Sequence, residues 1–173
     1  MRPLLTLTLF LAVSIASSAA PGADITRIEL VQREEVVLKH QQFVGNTRAQ
    51  AKRAGVIRRV PQLYVYFTDF STAWHLHGYR NGFERELALT YNHGRRERSM
   101  VEIDQLLERT LTPGGEAFGV DDLPGADIYL LLYARSGCED CVQMRQGLDD
   151  WLAGQPSLKA VWVDIWLDPR GEG

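Results

Sequence analysis

The clearest hydrophobic patterning lies toward the C-terminal end of the chain. Ile128 to Tyr133 (IYLLLY) is a nearly continuous apolar run, and Lys159 to Trp166 (KAVWVDIW) is a second. Runs of that length without a regular polar alternation predict strands, the first of them buried on both faces. Between them, Cys141, Met144, Leu148, Trp151 and Leu152 recur at helical spacing within a segment from about Cys138 to Ala153. Such spacing gives a helix one buried stripe, and Gly154-Gln155-Pro156 supplies its stop. Strand, helix and strand in this order predict a right-handed βαβ crossover with a parallel pair.

The earlier part of the chain is patterned less regularly. Leu63 to Phe67 (LYVYF), entered through Pro61 and left at Thr68-Asp69, reads as a buried strand. Asn46 to Ala54 reads as a short polar helix capped by Asn46 or Thr47 and stopped by Gly55. Residues 24–44 mix Val, Ile and Leu with Glu, Arg and Gln, and their period settles on neither helix nor strand. Asn81-Gly82 is a tight-turn dipeptide and predicts a hairpin between 74–79 and 83–91. Ser99 and Glu102 have the spacing of a capping box, which opens a helix over 99–111 with Ile103, Leu106, Leu107 and Leu111 on one face. Residues 112–126 are rich in Gly, Pro and Asp and read as an internal linker.

Composition narrows the class. The 173 residues hold 19 Lys and Arg against 22 Asp and Glu, are 45% hydrophobic and include two cysteines. This suits one domain with a real core, and it excludes a disulfide-dense scaffold and a four-cysteine zinc site. A net charge of -3 offers no basic excess for neutralising phosphates, so nucleic acid is not an expected partner. The first 20 residues change the picture most. Met1-Arg2-Pro3, an uncharged apolar stretch from Leu4 to Ile15 and the small residues Ala16 to Ala20 describe a secretory signal peptide, cleaved after Ala19 or Ala20. The apolar stretch is shorter than the roughly 20 residues a spanning helix needs, so no stable membrane span is expected after cleavage. The expected location is the bacterial periplasm or the extracellular medium, where thiols meet oxidants.

The cysteines, Cys138 and Cys141, are three apart at the junction of the first C-terminal strand and its helix. There the helix N-terminus stabilises a thiolate on Cys138, and Cys141 is placed to resolve a mixed disulfide. A strand, CxxC, helix and strand in an exported chain resemble the thioredoxin-like superfamily, of the exported thiol-disulfide oxidoreductase type. Val161-Trp162-Val163-Asp164-Ile165 is similar to the Val-Asp-Val strand that often follows that family's active-site helix. Residues 49–67 (AQAKRAGVIRRVPQLYVYF) resemble a later stretch of the same fold, in which a helix leads into a Val-Pro dipeptide and an apolar strand.

The resemblance implies an α/β fold, a thioredoxin-like central mixed sheet flanked by helices and circularly permuted over residues 45–173, with 112–126 as the internal connection. Residues 21–44 receive no role. It further implies that Val60-Pro61 is a cis-proline dipeptide facing the cysteines and binding the substrate chain. Phe83 to Tyr91 would be the hairpin partner and 99–111 the final helix. A competing arrangement takes strand 83–91, helix 99–111 and the terminal βαβ unit as a truncated N-terminal half, with 24–80 unrelated.

Function then divides. In the first reading Cys138 is the nucleophile and Cys141 the resolving thiol of an enzyme exchanging disulfides with other exported cysteine-bearing proteins or a redox partner, with no cofactor. In the second the chain is a non-catalytic thioredoxin-like binding or assembly module of an envelope or conjugation apparatus, and its disulfide is structural. The sequence departs from the family at Gly137, where Trp is usual, and at Leu132, where an acid is usual. Glu139-Asp140 lies between the cysteines, where two carboxylates raise the thiol pKa. His75 and His77 share a strand face and with the two cysteines make a four-ligand metal set on paper, but one HxH is too common to establish a site and none is assigned. Trp74, Trp151, Trp162 and Trp166 read as core or interface residues, with Trp162 and Trp166 as an outward pair for a partner or for the N-terminal elements.

Overall fold

The computed structural model describes residues 22–33, 60–97 and 101–167. Along the chain these form β1 (Asp24–Gln32), β2 (Gln62–Phe67), β3 (Thr72–His77), α1 (Phe83–Asn92), α2 (Ile103–Leu107), β4 (Thr110–Leu111), a 3-10 turn (Val120–Asp122), β5 (Ile128–Ala134), α3 (Glu139–Ala153) and β6 (Lys159–Trp166). The class is mixed α/β. The strands make one six-stranded sheet in the order β3-β2-β5-β6-β1-β4. Its middle is parallel, with β5 beside β6 and β6 beside β1. The outer pairings β2–β5, β2–β3 and β1–β4 are antiparallel.

Strand alternation sorts the core into two halves. On one face Leu63, Val65, Ile128, Leu130, Leu132, Ala160 and Trp162 pack with residues of α1 and α3. On the other, Tyr64, Tyr66, Tyr129, Leu131, Val161 and Ile165 pack with Ile103, Leu106 and Leu107 of α2 and with Phe118, Val120 and Leu123. All seven residues of β5 are buried, which is why its sequence is an apolar run rather than an alternation. Each Leu or Ile so buried contributes about 1.5–3 kcal/mol relative to exposure.

The predicted βαβ unit forms within a residue or so of its expected bounds, and all five residues of the predicted helical stripe are buried. The strand expected at 63–67 is β2, one residue longer at its start. The unsettled segment 24–44 contains β1, which pairs with β6 along eight residue positions from Asp24↔Lys159 to Val31↔Trp166. The expected linker 112–126 is not empty of structure. It holds the 3-10 turn, bridges Leu111 to Ala117, and packs Phe118, Val120, Leu123 and Ala126 into the second core.

Three expectations are overturned. Residues 83–91 are not a strand. Gly82, at φ 82°, leads into α1, whose buried Phe83, Leu87 and Thr90 have helical spacing. The hairpin partner of β2 is β3, joined through a turn in which the Asp69 carboxylate accepts from the Ser71 N–H and hydroxyl. This also removes the truncated arrangement, which needs a strand at 83–91. Of the helix expected over 99–111, the described residues form only α2, preceded by Glu102 as an uncapped N-terminus and followed by β4, which claims Thr110 and Leu111 for the sheet. Finally, Trp162 and Trp166 do share a strand face and are core residues, with Arg27 and Val31 of β1 packed on them, but α3 covers that face, so they are not an outward pair. The signal peptide, the helix at 46–54 and Ser99 lie outside the described residues.

One close approach ties α1 to α3. A Cβ built at Gly147 would stand 2.7 and 2.9 Å from two ring atoms of the fully buried Phe83, and would meet the Glu84 carboxylate as well. Gly147→Ala is therefore expected to lower stability by about 1 kcal/mol in urea denaturation, because overpacking costs about 1–3 kcal/mol against a helix-propensity gain of about 1. A stabilised variant would show that Phe83 has room to move.

Candidate functional site

The end of β5 and the start of α3 build the site. Arg135, Ser136 and Gly137 are exposed, and Gly137 turns the chain at φ 68°, a conformation glycine adopts without a Cβ penalty. Cys138 then takes extended backbone as the N-cap of α3, and its Sγ accepts from the Cys141 N–H at 3.1 Å. Cys138 and Cys141 are joined in a disulfide. Its two sulfurs are in unlike surroundings: Cys141 is fully buried on the α3 stripe, whereas Cys138 is half-buried. An incoming thiolate thus meets Cys138 first. A pocket of about 390 Å³ opens there, lined by Arg135, Gly137, Cys138, Glu139, Arg145 and Trp166 among others.

Val60 and Pro61 adjoin this disulfide through the sheet. The β2–β5 ladder pairs Gln62 with Tyr133, so its next step sets Pro61 against Ala134, the last residue before the turn to Cys138. The Val60–Pro61 peptide is cis. Val60 packs on the small cluster of Ala134, Cys141 and Trp166, as do Val31 and Cys138. Of the residues singled out from the sequence, Val60, Cys138 and Cys141 thus meet in one cluster, and Pro61 stands beside Val60 at the start of β2.

Leu132, at the position noted for lacking an acid, is fully buried, but its neighbour across the parallel ladder is Asp164. Asp164 Oδ1 accepts from Arg145 Nε at 3.2 Å, Arg145 Nη2 at 3.0 Å and Trp162 Nε1 at 3.1 Å. The Arg145 guanidinium also lies 4.4 Å from the Trp166 ring centroid. Burial raises the Asp164 carboxyl above its ordinary pKa, and Arg145 pulls it partly back. The sequence reading named Asp164 only within the Val-Asp-Val-like strand and missed Arg145. The available signal was spacing: Arg145 follows Cys141 by four residues and Cys138 by seven, so all three share a helix face.

The histidines belong elsewhere. His75 stacks on Tyr64 with ring centroids 3.9 Å apart, and His77 packs against His75. The cysteines are bonded to each other, so the four-ligand set drawn from the sequence does not assemble. No group of three or more His, Cys, Asp or Glu able to hold a metal occurs among the described residues. No helix among the described residues is long and apolar enough to cross a membrane.

No protein-family model matches this chain, and neither a curated protein nor a solved structure is detectably similar to it.

The Asp164 environment has a measurable sign. Its folded pKa exceeds its unfolded one, so the native state binds this proton more tightly. Its contribution to stability therefore declines as pH rises from the ordinary carboxylate pKa through the raised value. Carboxylate NMR titration should find Asp164 raised, and raised further in Arg145→Gln, where the lowering partner is gone. An unchanged value in the variant would mean that the ion pair does not govern this carboxyl.

Proposed function

We propose that this is an exported thiol-disulfide exchange protein acting through Cys138 and Cys141, built on a circularly permuted thioredoxin-like domain. The observation that carries the reading is the asymmetric disulfide at the N-terminus of α3, half-buried at Cys138 and fully buried at Cys141, with Val60 of the cis Val60–Pro61 peptide packed beside it. The element order supports the permutation. The CxxC strand β5 lies between the proline-led strand β2 and the post-helix strand β6, β3 is the hairpin partner of β2, and α1 follows β3. Hence α1 takes the part first expected of the helix at 99–111.

In the proposed reaction the thiolate of a cysteine-bearing exported protein attacks Cys138 Sγ. The S–S bond breaks, Cys141 leaves as a thiolate and takes up a proton, and a mixed disulfide forms at Cys138. A second thiol of that partner, deprotonated, then displaces Cys138. The partner is oxidised by two electrons and this protein is reduced; the reverse sequence oxidises this protein. The pocket at Cys138 and the backbone around Val60-Pro61 receive the partner chain. No cofactor takes part in this scheme. The leader at residues 1–20 directs the chain to the periplasm or the medium.

The second reading, a binding or assembly module of an envelope apparatus with a structural disulfide, draws its support from the exposed Glu139 and Asp140 in the first turn of α3. These carboxylates oppose a thiolate at Cys138. Redox titration against glutathione, read by thiol alkylation, separates the two. Exchange predicts a midpoint above about -250 mV with Cys138 alkylated selectively, whereas a structural disulfide lies below about -300 mV and shows no selectivity. In Cys141→Ser, exchange further predicts mixed disulfides with exported proteins that accumulate at Cys138.

A further inference from the structure

The Arg145–Asp164 pair is a largely buried polar cluster against an apolar core, unlike the more exposed Arg27–Asp149 pair on the same face. The two side chains retain 24% and 14% of their exposure. A buried ion pair of this kind adds little to stability that well-packed apolar residues would not supply, so folding alone gives it no reason to be here. Its place gives one. Arg145 lies on the helix face of both cysteines and lines the pocket at Cys138, whereas Asp164 sits behind it on β6 and does not line that pocket. The guanidinium is fixed on two sides, by Asp164 Oδ1 and by the face of Trp166, which itself packs with Cys141. The pair thus presents its positive member, and not its carboxylate, to the pocket that Cys138 lines.

We infer that Arg145 is the cation that stabilises the Cys138 thiolate released when the mixed disulfide is resolved, with Asp164 as the positioning residue that holds its guanidinium against Trp166. The inference rests on the exchange reading above. It answers the objection raised by Glu139 and Asp140: these exposed acids are offset by a less exposed cation, in surroundings where charges interact more strongly than in water. Among the described residues, the other charged groups around the site are Arg135 in the same pocket, Glu29 in register with Asp164 on β1, and Arg33 just past the end of β1. From the β2 side the neighbours are Val60 and Pro61, which carry no charge.

The test is the pH profile of Cys138 alkylation by iodoacetamide in the reduced, mature protein, with circular dichroism confirming that each variant is folded. Arg145→Gln should raise the Cys138 pKa and slow alkylation at neutral pH about threefold, the size of a half-unit shift produced by one charge several ångströms away. Arg145→Lys should restore much of the rate. Asp164→Asn keeps an oxygen for Arg145 but removes the compensating charge, so it should shift the Cys138 pKa down and speed alkylation. Opposite signs for the two variants are the result expected of a charge effect. Equal slowing in both would mark the pair as merely structural and overturn the inference. A wild-type Cys138 that titrates as an ordinary thiol would remove the exchange reading along with it. A lowered wild-type pKa left unmoved by Arg145→Gln would remove only the role of Arg145.

Discussion

The structure depends on burying β5 on both faces. A strand with no residue in water needs its backbone paired on both edges and apolar partners above and below, since an unpaired buried amide or carbonyl costs as much as a lost hydrogen bond. β2 and β6 supply the edges, antiparallel on one side and parallel on the other. The parallel edge in turn demands a crossover, and α3 is that crossover. α1 docks on α3 where Gly147 leaves room for Phe83, and the second core of α2 and the 112–126 segment closes the opposite face. The position of the disulfide follows from the same demand, because the turn from β5 into α3 must fall at the end of the most buried strand.

The site therefore inherits two properties from the core. Its inner sulfur is sealed because Cys141 belongs to the buried stripe of α3, and its outer sulfur is open because an N-cap stands at the edge of its helix. The ladder that satisfies β5 also delivers Val60-Pro61 to the same end of the sheet. The ion pair behind the cysteines is a place in this layer where packing gave way to charge. Trp162 and Trp166 flank it, one donating to Asp164 and the other lying under Arg145, so the tryptophans expected as an outward pair for a partner or the N-terminal elements frame a polar cluster under α3.

Legibility followed the range of the forces involved. IYLLLY, the stripe from Cys141 to Leu152 and KAVWVDIW were readable because each segment's burial is written in its own pattern. The CxxC and the Val-Pro dipeptide were readable as local chemistry. β1 was not, because along most of its length only β6, some 135 residues away in sequence, makes it a strand, and its half-exposed edge position leaves a mixed pattern. α1 was misread because Asn81-Gly82 is a hairpin signal locally, while the packing of Phe83 and Leu87 selects a helix. The helix at 99–111 was overextended because nothing in its own pattern announces that Thr110 and Leu111 will pair with β1.

By itself, then, the amino-acid sequence determined the βαβ unit, its cysteine pair and the proline-led strand, since these rest on hydrophobic period, capping and backbone restriction within a few residues. Tertiary structure alone decided the strand order, the identity of the hairpin partner, and the meeting of Arg145 with Asp164 behind the disulfide. Those outcomes depend on which distant surfaces bury one another, and a pairing between remote segments leaves no signature in either segment alone.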